Sequence, residues 1–103
     1  MTEYMAKRSV NRCPTHPGAV LREDVIPATR RTKTEIAELL GISRQHLHDI
    51  LAEKKPLSPE IAVRVGALFG GGAGTWVRMQ GAYDTWHAER KIDVSKITKL
   101  APA

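Results

Sequence analysis

From residue 16 onward, apolar side chains recur every three or four residues, in short blocks separated by glycine, proline or a capping hydroxyl. That rhythm belongs to amphipathic helices and not to strands. In HPGAVLREDVIPATRR, Pro17 takes a favourable first helical position, Val20, Leu21 and Val25 share a face, and Pro27 is expected to close the helix. Thr32 opens a second helix with T-K-T-E, a capping box whose hydroxyl accepts from the Glu35 amide while the Glu35 carboxylate accepts from the Thr32 amide. Its apolar face is Ile36, Ala37, Leu39 and Leu40, and Gly41 supplies the left-handed residue that ends it. Ser43 caps a third helix running to about Glu53, with Leu47, Ile50 and Leu51 inward and Lys54, Lys55 and Pro56 as the break. Ser58 and Pro59 start a fourth, with Ile61, Ala62, Val65, Leu68 and Phe69 on one face and Gly70 as its stop. After a flexible connection over Gly70 to Gly74, a fifth and longest helix carries Trp76, Met79, Gln80, Tyr83, Trp86 and His87 to about Lys91. Beyond it Ile92 and Val94 alternate with Asp93 and Ser95, so a short extended piece is expected. The pattern predicts an all-α, five-helix domain over residues 16–91. A mobile N-terminal arm over residues 1–15, with Lys7, Arg8 and Arg12 lacking apolar partners, precedes it, and a C-terminal tail over residues 92–103 follows.

Residues 33–52 meet a demanding rule. Two helices crossing at about 90–120° around a short turn need a small residue at their contact, a glycine in the turn and aliphatic residues that lock the angle. Ala37 is the small residue, Gly41 the turn, and Ile36, Leu40, Ile42, Leu47 and Ile50 are the locks. This arrangement resembles the helix-turn-helix of the phage-repressor type. With Leu47, Ile50 and Leu51 inward, Arg44, Gln45, His48 and Asp49 face outward on the third helix. There Arg can fork onto guanine and Gln onto adenine in a major groove. Arg30, Arg31, Lys33, Thr34, Ser43, Lys54 and Lys55 surround the motif and are the expected phosphate contacts.

One such helix reads only a few base pairs, so useful specificity calls for a dimer with its two recognition helices about 34 Å apart. The stripe of Trp76, Met79, Tyr83 and Trp86, with Ile92, Val94 and Ile97 beyond it, offers more apolar surface than the first four helices can cover, and the two-fold contact is expected there. The same aromatics could serve as a stacking platform for single-stranded RNA, but a stripe at helical spacing packs on a core or on a second subunit.

The resemblance extends past the motif. HPGAVLRE at the first helix, the helix-turn-helix, SPEIAVRVGALFG in the fourth helix and W-x-x-M-Q-x-x-Y-D-x-W from Trp76 to Trp86 together resemble the HigA/VapI group of antitoxins over about residues 16–100. The resemblance implies a dimer that represses its own operon by binding double-stranded operator DNA and neutralises a cognate HigB-like toxin, an mRNA-cleaving ribonuclease. GGAG at residues 71–74 departs from the Ser/Thr-Pro cap with which that family commonly begins its fifth helix. Two other readings stay open: a stand-alone repressor without a toxin, and an interaction module that keeps the fold without DNA affinity.

The chain's 103 residues, 42% hydrophobic and 26% charged, make one small packed domain. The net charge of +5 divides unevenly: residues 32–55 carry four basic and four acidic side chains, so the excess flanks a neutral centre. That suits a base-reading segment flanked by phosphate contacts. No apolar run approaches the roughly 18 residues that span a bilayer, and the start has no apolar signal region, so no membrane association and a cytoplasmic location are expected. The single Cys13 agrees with a reducing compartment. Cys13 and His16 are half of a zinc spacing with no second pair, and His46 and His48 face different directions, so no metal site is expected. No nucleophile–base set, phosphate loop or paired carboxylate stands out, so neither catalysis nor a cofactor is implied.

Overall fold

The computed structural model describes residues 12–101, and within them the fold is five helices with no strand. The expected arm therefore lies mostly outside the described residues. Of its last residues, Cys13 and Pro14 are half-buried, and the Cys13 Sγ lies 3.6 Å from His87 Nε2.

Helix α1 covers residues 17–29 and opens where expected. His16 caps it, its Nδ1 accepting from the Gly18 N–H at 2.8 Å, and Pro17 follows at the first helical position. Pro27 does not close it. The stretch Leu21–Val25 widens into a π turn, in which the Ile26 N–H reaches back five residues to the Leu21 carbonyl. Proline inside an α-helix lacks a donor and crowds the carbonyl four residues earlier; a widened turn just upstream accommodates both problems. The helix then continues through Ile26–Thr29 and ends at Arg30, which adopts the left-handed conformation with φ 60°.

Helices α2 (Lys33–Leu40), α3 (Arg44–Leu51) and α4 (Pro59–Phe69) follow the expected caps. Helix α5 spans Ala73–Lys91, so the flexible connection is shorter than the sequence suggests. Of the expected connection, Gly70, Gly71 and Gly72 alone lie outside the helices, all with positive φ, and Gly72 serves as an N-cap without a side-chain hydrogen bond.

The core joins Leu21 and Ile26 of α1, Ile36, Ala37 and Leu40 of α2, Leu47, Ile50 and Leu51 of α3, Ile61, Ala62 and Val65 of α4, and Trp76 of α5. Leu57, in the α3–α4 connection, is as buried as Leu21 or Leu47, its N–H donating to the buried Gln80 Oε1 at 2.8 Å. Two expectations need correction. Leu39 is 54% exposed, because it sits on the flank of α2 that no helix covers. Trp76 is only 8% exposed and packs in the core of the chain, so it is not a free member of the aromatic stripe.

The extended piece expected after α5 is not a strand. Residues 92–101 have no neighbouring strand to pair with; the Asp93 carboxylate accepts the Ser95 N–H at 2.9 Å, and the Ile97 N–H reaches the Val94 carbonyl at 3.0 Å. These short-range bonds bend the backbone and leave Ile92, Val94 and Ile97 exposed. No helix among the described residues is long and apolar enough to cross a membrane.

Candidate nucleic-acid interface

The platform is the α2–turn–α3 unit. Thr32 and Glu35 form the reciprocal capping box, with the Thr32 N–H donating to Glu35 Oε1 at 2.9 Å and the Glu35 N–H to Thr32 Oγ1 at 3.1 Å. Those bonds from the Thr32 backbone and hydroxyl, with Arg31 nearby, hold the Glu35 carboxyl below its ordinary range. At the other end, Gly41 turns the chain at φ 75°, and the Ile42 N–H closes on the Ala37 carbonyl at 3.1 Å. Ser43 then starts α3, its Oγ accepting from the His46 N–H at 3.0 Å.

Two arginines absent from the sequence-based site brace this unit. Arg64 of α4 donates to the Leu40 carbonyl at 3.0 Å and so closes the end of α2. Arg22 of α1 donates to the Leu51 carbonyl at 2.7 Å and to Glu53 Oε2 at 3.1 Å, which fixes the end of α3. Both satisfy carbonyls that a helix end leaves without partners. An arginine placed one or two helices away gives no local pattern that would have exposed this role.

With Leu47, Ile50 and Leu51 buried, the opposite side of α3 presents Arg44, Gln45 and His48 to solvent. Asp49 lies on the same side but is engaged. Its Oδ1 accepts from Gln45 Nε2 at 3.0 Å, its Oδ2 lies 3.6 Å from Lys55 Nζ, and its side chain is 16% exposed. The Asp49 backbone carbonyl also accepts from the Lys54 and Lys55 N–H groups, at 2.8 and 3.2 Å, so the chain folds back over the end of α3. Arg30, Arg31, Lys33, Thr34, Ser43, Lys54 and Lys55 are all exposed around this face, and Arg31 also pairs with Glu35 at 3.5 Å. The arrangement is a solvent-facing row of hydrogen-bonding side chains edged by cations, the combination that major-groove readout requires.

The expected dimer residues divide. Met79, Tyr83 and Trp86 are half-buried on α5, and Ile92, Val94 and Ile97 are exposed. Tyr83 meets the buried His16 ring edge-on at 4.8 Å, and Arg90 stacks over Trp86 at 3.7 Å. Burial pushes the His16 pKa below its ordinary value, with Glu53 and Asp84 opposing the shift. Among the described residues no group of three or more His, Cys, Asp or Glu side chains could hold a metal ion, and His16 is committed to its cap.

No protein-family model matches the chain. It is 33% identical over 87 residues to virulence-associated protein I of Dichelobacter nodosus, covering 84% of this chain and 79% of that protein. Among solved structures, an addiction-module antidote protein of the HigA family from Coxiella burnetii superposes with a TM-score of 0.78 at 25% identity, over 87% of this chain and all of that one. The Pseudomonas aeruginosa antitoxin HigA, solved with the higBA promoter, gives 0.72 at 28% identity over 76% and 85% of the two chains. The likeness spans all five helices and not the helix-turn-helix alone, and the chain belongs to the HigA/VapI family of helix-turn-helix antitoxins.

Proposed function

We propose that the chain is the antitoxin of a type II toxin-antitoxin pair: a homodimer that binds double-stranded operator DNA at its own promoter and neutralises a HigB-like, mRNA-cleaving ribonuclease. The observation that carries the DNA-binding half is the face of α3 bearing Arg44, Gln45, His48 and Asp49, held by caps at both ends and edged by cations. In this reading α3 enters the major groove, and Arg30, Arg31, Lys33, Thr34, Ser43, Lys54 and Lys55 meet phosphates. The antitoxin half is supported by the HigA-family structures that the chain matches along its length. Dimerisation through Met79, Tyr83, Trp86, Ile92, Val94 and Ile97 is supported by the exposed apolar residues of the tail that follows α5. The protein acts by binding and not by catalysis.

Two measurements test the reading together. Gel-shift titration against the chain's own upstream DNA should give binding well above that for random duplex. Co-expression with the adjacent reading frame should rescue cells from that frame's toxicity. Operator binding without rescue would leave a stand-alone repressor, and rescue without operator binding would leave an interaction module.

A further inference from the structure

We propose that Asp49 is a positioning residue that sets the base preference of Gln45, rather than a reader of a base itself. The inference rests on the DNA-binding reading above. Gln45 and Asp49 stand one turn apart on α3, on the side opposite Leu47, Ile50 and Leu51. An ionised carboxylate can only accept hydrogen bonds, so the 3.0 Å contact fixes which end of the Gln45 amide faces it: the nitrogen. A glutamine without such a neighbour can turn its amide over and offer either end to a base.

Held this way, Gln45 has one amide hydrogen and its carbonyl oxygen left to present. That donor–acceptor pair complements the N7 acceptor and N6 donor of adenine in the major groove, and it fails against guanine, whose N7 and O6 both accept. Asp49 is meanwhile unsuited to reading a base of its own. One oxygen accepts from Gln45, the other faces the Lys55 ammonium at 3.6 Å, and the side chain is mostly covered. The same ammonium offsets the cost of a carboxylate close to DNA phosphates.

In vitro selection of the full chain against a randomised duplex library, read by sequencing, tests the inference on every possible half-site at once. Wild type should select adenine at one position of each half-site, and Gln45→Ala should lose that preference by roughly tenfold. Asp49→Ala should lose it at the same position and to a similar degree, the double variant should be no worse than either single one, and affinity for random duplex should rise because an acid has been removed. Asp49→Asn gives the sharper outcome. Asparagine can accept from the Gln45 nitrogen or donate to its oxygen, so guanine should be enriched beside adenine at that position alone. This isosteric variant also carries the test if circular dichroism shows that Asp49→Ala is unfolded. Loss of preference at a position different from the one lost in Gln45→Ala would make Asp49 a base reader and overturn the proposal. So would an adenine preference that survives both Asp49 variants, while leaving the DNA-binding reading intact. A wild-type chain that enriches no sequence would overturn the DNA-binding reading and this proposal with it.

Discussion

Replacing Gly18 by alanine tests how closely α1 packs on the recognition helix. A Cβ built on Gly18 would overlap the Ile50 carbonyl oxygen, and it would lie 2.9 Å from the Ile50 carbonyl carbon and 3.0 Å from His16 Nδ1. None of these neighbours is the free end of a flexible chain: two are backbone of α3, and the third is the ring that caps α1. Overpacking of a tight core costs about 1–3 kcal/mol, and a clash with backbone belongs at the upper end, near 3 kcal/mol. Alanine recovers about 0.5–1 kcal/mol of helix propensity over glycine, which leaves a net loss of about 2 kcal/mol. At about 4–8 °C per kcal/mol for a domain of this size, the midpoint of thermal unfolding followed by circular dichroism should fall by about 8–16 °C. Gly81 supplies the control, since it lies inside α5 and a Cβ there would meet nothing within 4 Å. Gly81→Ala should therefore stabilise by about 0.5–1 kcal/mol. A Gly18→Ala protein as stable as wild type would mean that α1 does not press on the Ile50 carbonyl, and that α3 does not depend on this contact for its support.

Arg44→Ala should lower operator affinity by about 1–3 kcal/mol and relax one base position in gel-shift titrations, with less effect on random duplex; an equal loss on both would make Arg44 a phosphate contact. Lys55→Ala should weaken binding nearly uniformly across sequences and reduce the magnitude of the salt slope by about 1, and an unchanged slope would remove it from the phosphate contacts. Trp86→Glu should give a folded monomer with greatly reduced operator affinity in analytical ultracentrifugation, since Arg90 one turn away can pair with the new acid; a dimer that persists at micromolar concentration would move the interface elsewhere. Because the folded pKa of His16 is depressed, the unfolded chain binds more protons as pH falls through and below 6.5. Urea unfolding from about pH 8 to about pH 5 should thus show stability lost on acidification, and His16→Asn, which keeps a capping acceptor, should flatten that dependence.

What could be read from the sequence is what local chemistry decides. The capping box of Thr32 and Glu35, the Ser43 and Ser58 caps and the Gly41 turn are each complete within a few residues, and each stands where the spacing put it. Pro27 misleads because a π turn over Leu21–Val25 admits it, and no periodic or capping signal in the sequence marks that turn. Leu57 escaped the helical pattern because it lies in a connection, where no periodicity marks it as core. Trp76 and Trp86 differ for a similar reason. Both belong to one stripe, yet Trp76 packs into the core cluster while Trp86 lies outside it, so the same spacing yields a core residue at one end and a half-buried one at the other.

The recognition face shows where this limit falls for function. Periodicity alone places Gln45 and Asp49 on one side of α3, and both side chains pass the chemical criterion for base contact. It cannot separate a side chain that faces DNA from one that faces its neighbour, because that depends on Lys54 and Lys55 folding back after the helix ends. Their return is set by Glu53, which leaves α3 in the left-handed conformation at φ 63° while Arg22 of α1 holds both its carboxylate and the Leu51 carbonyl. A residue in the first helix thus helps place the lysine whose ammonium faces Asp49. The surroundings of α3 are in this sense set by the packed domain, and transplanting residues 44–51 alone onto another helix-turn-helix should carry over Arg44 and the Gln45–Asp49 bond but not the Lys55 ammonium that faces Asp49.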